Sequence, residues 1–336
     1  MKERILSFML VLLLISSLIM SFPIIAKAET IASGTCGDDL IWVLDEDGSL
    51  TISGTGEMNN YTNTSEAPWG EHKANIVSVI VENGVKTLGN NAFQNCKELK
   101  NVKIPNTVIK IGEAAFYECN SLVSITGLHN ITSIGRFAFC GCTNLKIIKL
   151  PNTITDIPDG TFVGCANLVD LELPNSIKTI GYNAFAECGL KEIQIPSSVI
   201  SIDDQAFLMC ANLISVKFAD GITSIGDHTF RYCSSLNNII IPGTIKSIGY
   251  ATFADCINLE NVVISDGVSN IGFAAFSRCT NLSSIFFPMS LINIEYNAFA
   301  SNNKINNIYY SGSSDEYKKI CIEGGNSVLN LSLIHI

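Results

Sequence analysis

The chain has 336 residues, 47% of them hydrophobic and 15% charged, a balance that excludes a disordered polypeptide. Its formal charge of −10 argues against a phosphate-binding surface, so no nucleic-acid partner is expected. A chain this long does not need its 12 cysteines as disulfide staples, and their spacing gives them another use.

In chain order, Lys2 and Arg4 precede an apolar run over residues 5–25 that ends in Ala26-Lys27-Ala28. A basic start, an apolar centre and a small-x-small tripeptide predict a secretory signal peptide over residues 1–28, cleaved before Glu29. The alternative is an uncleaved anchor, since the run approaches the roughly 20 residues that span a bilayer. No later stretch is long and apolar enough to do so, no C-terminal sorting signal is visible, and Cys36 lacks the apolar residues that precede a lipidation site. The protein is therefore expected outside the cell, secreted or held non-covalently at the surface, with no integral membrane segment after cleavage.

Residues 29–75 read as an N-terminal cap. Trp42-Val43-Leu44 and Leu50-Thr51-Ile52 alternate around Asp45-Glu46-Asp47-Gly48, which predicts a β-hairpin with Gly48 supplying positive φ. The acidic run resembles the start of a calcium loop, yet Ser49 stands where a third ligand is due and the closing Glu is absent. Residues 55–74, with Asn59, Asn60, Asn63, Pro68 and Gly70, read as a long loop of the same cap rather than an interdomain linker.

From there a 23-residue period organises the chain over residues 76–308, about ten repeats. It aligns Phe93, Phe116, Phe139, Phe162, Phe185, Phe207, Phe230, Phe253, Phe276 and Phe299. Three residues later run Cys96, Cys119, Cys142, Cys165, Cys188, Cys210, Cys233, Cys256 and Cys279, with Asn302 in the tenth place. One step in each series is 22, because Gly189 replaces two residues between Cys188 and Leu190.

One unit carries Cys96, Leu99, Val102, Ile104, Pro105, Val108, Ile111, Gly112, Ala115 and Phe116. Val102 and Ile104 alternate with polar neighbours as a half-buried strand does, and Pro105 ends it by removing a backbone donor. Gly112 allows a tight corner, and residues 113–119 are expected to make one or two helical turns that bury Ala115, Phe116 and Cys119. No unit closes a core alone, since its strand and inward side chains are satisfied only by the next turn. The expected fold is a solenoid with like residues about 4.8 Å apart along a parallel sheet.

The unit, with its I-G-x-x-A-F-x-x-C core, resembles the BspA-like subclass of bacterial surface leucine-rich repeats over residues 77–308. Ser33-Gly34-Thr35-Cys36-Gly37 with Trp42, Gly54-Thr55-Gly56 and Ala67-Pro68-Trp69 resemble that family's N-terminal cap. Tyr309-Tyr310-Ser311-Gly312 and residues 326–335 resemble its C-terminal cap, placed at 309–336. The resemblance implies an α/β repeat solenoid, a right-handed leucine-rich-repeat superhelix with short parallel strands on one face and short helical or irregular segments on the other, capped at both ends. Here the cysteine lies on the helical side rather than just after the strand, so the curvature of ordinary leucine-rich repeats does not carry over. The resemblance also implies a secreted or surface protein involved in adhesion to host proteins and other cells; fold alone implies no function.

Candidate sites are few. Neighbouring ladder cysteines satisfy the Cα separation of a disulfide, but stacked side chains point in parallel, and free buried thiols are expected. Cys140-Gly141-Cys142 lacks the further ligands of a metal site. Asn63-Thr64-Ser65, Asn130-Ile131-Thr132, Asn281-Leu282-Ser283 and Asn330-Leu331-Ser332 are glycosylation sequons only in a host that performs that chemistry. His72, His129, His228 and His335 fall in unrelated places, so no catalytic group converges and neither an enzyme nor a cofactor is expected.

The outward strand positions say more. One row runs Lys103, Thr126, Lys149, Glu172, Gln194, Lys217, Ile240, Val263, Phe286, Tyr309, and its neighbour runs Asn101, Ser124, Ile147, Asp170, Glu192, Ser215, Asn238, Asn261, Ser284, Asn307. Charged and polar in the first six repeats, these rows become an apolar stripe with a polar rim in the last four. The predicted protein-binding residues are Ile240, Val263, Phe286, Tyr309, Asn238, Asn261, Ser284 and Asn307, unless the tail at 327–336 folds over them. The expected function is protein–protein interaction, as adhesion to a host extracellular-matrix, cell-surface or neighbouring-cell protein. The alternative is a self-associating structural component of the envelope or matrix.

Overall fold

The computed structural model describes residues 28–62, 66–331 and 333–335; the signal peptide expected over 1–28 lies, but for its last residue, outside them. The backbone begins with Thr30–Thr35, Leu40–Asp45 and Ser49–Gly54, joined antiparallel, and the last of these pairs in parallel with Ser78–Val81, the first repeat strand. The expected hairpin turns at Gly48, whose φ is +77°. Its N–H donates to the Asp45 carbonyl, and Ser49 N–H donates to the Asp47 carboxylate, so the acidic run is spent on the turn.

From residue 78 each turn of chain adds a rung to three walls. The first wall is the broad parallel sheet, with Asn101–Lys103 and Ser124–Thr126 upstream and Glu192–Ile195, Ser215–Phe218, Asn238–Ile241, Asn261–Ile264, Ser284–Phe287 and Asn307–Tyr310 downstream. The second is a narrow ladder of two-residue strands such as Lys110–Ile111 and Ser247–Ile248. Inward residues of both walls are buried but for Phe218 and Ile322, in keeping with the period-two alternation.

The third wall differs from the helical turns expected over residues 113–119: it is a run of linked turns. Ala114 and Glu118 have φ of 50° and 54°, and the same two places are left-handed in every repeat from Asn91 and Asn95 to Asn297 and Ser301. An α-helix cannot hold such residues, and each non-glycine costs about 1–2 kcal/mol in that region. The return is in hydrogen bonds. Asn91, Phe93 and Asn95 N–H groups donate to Glu113, Ala115 and Tyr117 carbonyls of the next repeat, while Ala92, Gln94 and Cys96 donate three residues back. Alternate amides thus tie the repeat to itself and to its neighbour, where a helix would leave the neighbour unbonded.

Inside, the phenylalanines stack face to face from Phe93 to Phe299, with centroids 5.2–5.5 Å apart and planes within 15°. Trp69 extends the stack by one ring, 5.4 Å from Phe93. The cysteines run beside them as free thiols. From Cys119 to Cys279 each Sγ–H donates to the carbonyl of the phenylalanine one repeat back, at 3.0–3.3 Å.

Candidate protein-interaction site

The first wall is interrupted twice. Residues 147–150 and 170–173 keep the alternation of exposed and buried side chains but form no strand; among the described residues an isolated β-bridge from Ser124 to Ile147 and the N–H groups of Lys146 and Lys191, donating to Val123 and Val169 carbonyls, link the successive repeats there. The chemistry explains the break. Asp170 and Glu192 hold equivalent outward places in successive repeats, and like charges side by side oppose pairing. The 22-residue repeat, shortened at Gly189, falls in the same stretch. A depression of about 590 Å³ results, lined by Asp170, Glu172, Glu192, Gln194, Ser215 and Lys217 among others.

A second loosening follows one strand on. Ser215–Phe218 pairs with Asn238–Ile241 only at Ser215 and Asn238, whereas the next strand pair matches at four positions. Phe218 stands at the inward place of its strand, where most repeats carry Ile or Leu and where Phe287 is fully buried. Phe218 lies half-buried, edge-on to Phe230 at 6.1 Å. The groove it opens, about 500 Å³, is bounded by Phe218, Ile240 and Pro242.

Beyond that groove the predicted stripe is in place. Ile240 registers with Val263, Val263 with Phe286 and Phe286 with Tyr309. Ile240 is 63% and Phe286 40% exposed, while Val263 and Tyr309 are half-buried between their neighbours. The Phe286 and Tyr309 rings stack at 4.3 Å, closer than any pair of the core ladder. The rim residues Asn238, Asn261, Ser284 and Asn307 register in the adjacent row, with Asn261 Nδ2 donating to Asn238 Oδ1 at 2.7 Å. All eight predicted residues therefore share one face. The described residues of the tail do not cross it: the backbone of Leu333–His335 pairs in parallel with Asn307–Tyr310 and adds a rung at the sheet edge.

The other candidate chemistry is dispersed. Burial pushes the Cys140 thiol up to about 11, the wrong direction for a thiolate ligand. Among the described residues no three His, Cys, Asp or Glu are grouped to hold a metal ion. His72 and His129 lie in separate short 3-10 turns, and burial together with Arg231 holds His228 below its usual range. The Asn130 and Asn281 side-chain amides donate to Asn106 and Asn258 of the preceding repeats, and Lys304 Nζ donates to Asn281 Oδ1. The sequons at 63–65 and 330–332 lie wholly or partly outside the described residues. No helix among the described residues is long and apolar enough to cross a membrane.

One ladder escaped the sequence reading. On the flank away from the stripe, Tyr250 is tilted 44° against Phe273 and Phe273 stacks on Tyr296, all 39–50% exposed, with His228 edge-on to Tyr250. Asp227, Glu295 and Glu323 carboxylates accept their backbone N–H groups. The signal was the residue after each Gly249-type corner, masked because earlier repeats carry Glu113, Arg136 or Asp159 there.

Comparison with known proteins was made on this geometry. The family model described as "BspA type Leucine rich repeat region (6 copies)" matches residues 71–188, 155–273 and 201–328. A solved leucine-rich repeat protein from Eubacterium ventriosum is 24% identical, with a TM-score of 0.52, covering 82% of this chain and 84% of that one. A leucine rich cell surface protein from Faecalibacterium prausnitzii is 26% identical, with a TM-score of 0.47, covering 87% of this chain and 98% of that one. No curated protein matches the chain.

Proposed function

The chain belongs to the BspA-type leucine-rich repeat family, and from that membership and the outward face of its broad sheet we propose that it is an extracellular adhesive module that binds another protein through the stripe from Ile240 to Tyr309. The carrying observation is the register of four apolar side chains in one exposed row, ending in the Phe286–Tyr309 stack. Monomeric proteins seldom leave such a patch without use, and aromatic residues inside a polar rim are the usual anchors of an interface. The basic and apolar leader at residues 1–28 supports export, and the acidic chain suits a non-catalytic partner surface rather than nucleic acid. In this reading the protein carries out no reaction and needs no cofactor.

The test is binding of the chain from Glu29 onward to immobilised matrix proteins, mucin and whole cells, beside the double variant Phe286→Ser/Tyr309→Ser. Saturable binding that the variant loses supports the reading. A well-folded chain that binds none of these surfaces but sediments as an oligomer supports a self-associating envelope component instead.

A further inference from the structure

The acidic depression and the apolar groove share Ser215 and Lys217, so they form one channel across the outward face of the broad sheet. Asp170, Glu172 and Glu192 are exposed along its upstream part. Among the described residues none of these carboxylates takes part in an ion pair. Lys149 and Lys217 flank Glu172 in its outward row, next to the row of Asp170 and Glu192, and are exposed and likewise outside any ion pair there. The floor of the depression is the interrupted stretch, whose main-chain groups lack strand partners. The downstream part is apolar, with Phe218, Ile240 and Pro242 at the place where the sheet loosens.

We propose that this channel takes an extended polypeptide segment with a lysine or arginine over Asp170, Glu172 and Glu192 and an aliphatic or aromatic side chain in the groove formed by Phe218, Ile240 and Pro242. The inference rests on this sheet face being the interaction surface and names the chemistry of its partner. Unpaired carboxylates call for a cation, and the bracketing lysines confine it to the middle of the depression and disfavour a long basic run. A peptide backbone also offers donors and acceptors to the unpaired main chain of the floor. From the Asp170 position to the Asn238 position is three strand steps, about 14 Å at about 4.8 Å each. An extended chain covers that in about four residues. The partner segment therefore carries its cation and its apolar anchor about four residues apart.

The probe is a fluorescein-labelled peptide with two arginines and, four residues on, two phenylalanines, titrated by anisotropy against the chain from Glu29 onward. Three proteins are compared: the unaltered chain, Asp170→Asn/Glu172→Gln/Glu192→Gln, and Ile240→Ser. All the altered side chains are exposed, and near-ultraviolet circular dichroism checks that each variant is folded. The expected result is saturable binding weakened about tenfold or more in each variant, with salt dependence that the acid-neutralised variant loses. No binding of the peptide, equal binding by the acid-neutralised variant, or equal binding of a peptide with glutamates for arginines overturns the inference. If a protein of the immobilised panel binds and depends on Phe286 and Tyr309 while the acid-neutralised variant binds it normally, the partner chemistry fails and the adhesive reading stands. Failure of both assays removes both.

Discussion

At the scale of single residues, Asn302 shows what the cysteine position is for. Its Nδ2 donates to the Phe276 carbonyl at 2.8 Å, the bond that the thiols make elsewhere, while its Oδ1 is buried without a partner. The position selects a small buried donor to the phenylalanine carbonyl, and sulfur supplies one without an orphan acceptor. Asn302→Cys should therefore raise stability by about 1–2 kcal/mol, read as a higher urea midpoint; a lower midpoint contradicts this. Gly112 also has a defined reason. A Cβ there would lie 2.5 Å from the Asn90 nitrogen and 2.6 Å from the Gly89 carbonyl carbon, backbone atoms of the preceding turn. Gly112→Ala should cost about 1–3 kcal/mol, seen as a lower melting temperature, and an unchanged one would show that the two turns can part. The corner glycine was legible in the sequence; its cause, close approach of two turns rather than positive φ, was not, because it depends on a neighbour 23 residues away.

At the scale of the repeat, the thiol ladder couples stability to alkaline pH. Burial pushes the Cys96 and Cys210 thiols up to about 12, against 9.0 for the free group. The folded chain thus holds these protons more tightly than the unfolded chain does. Their contribution is complete below pH 9 and is lost as pH rises from there towards 12. The urea midpoint should be flat with respect to these groups below pH 9 and fall above it, with a shallower slope in Cys210→Ala; equal slopes would contradict the assignment. The 23-residue step, strand positions and inward residues could all be read from the sequence, because a stacked position admits one kind of side chain repeatedly. The turn wall could not. Ala115, Phe116 and Cys119 have a spacing that also fits one helical face, and only the bonds from Phe93 to Ala115 and its equivalents favour turns with two left-handed residues.

At the scale of the whole molecule, the solenoid is long-range order built from local units, and its ends must stop the ladder. Trp69 covers the first phenylalanine and donates through Nε1 to the Ala92 carbonyl. At the far end no repeat follows to accept the Phe299 N–H, and the buried Asn326 takes it through Oδ1 while its Nδ2 donates to Glu295 and Glu323 carbonyls. Trp69 sits 24 rather than 23 residues before Phe93, so the period alone did not align it. The outward stripe was legible because outward strand positions follow from the alternation. The acidic depression was not, since it arises where Asp170 faces Glu192 and the sheet fails to form.

The proposed function places binding on the stripe from Ile240 to Tyr309 and not on apolar exposure in general. The flank ladder of Tyr250, Phe273 and Tyr296 offers the matched control, because it exposes a comparable aromatic surface. The direct measurement is the affinity of one captured partner for Phe286→Ser/Tyr309→Ser and, side by side, for Tyr250→Ser/Phe273→Ser/Tyr296→Ser. Loss of about tenfold or more in the first variant with the second unchanged is the predicted result; loss in the second with the first unchanged contradicts it.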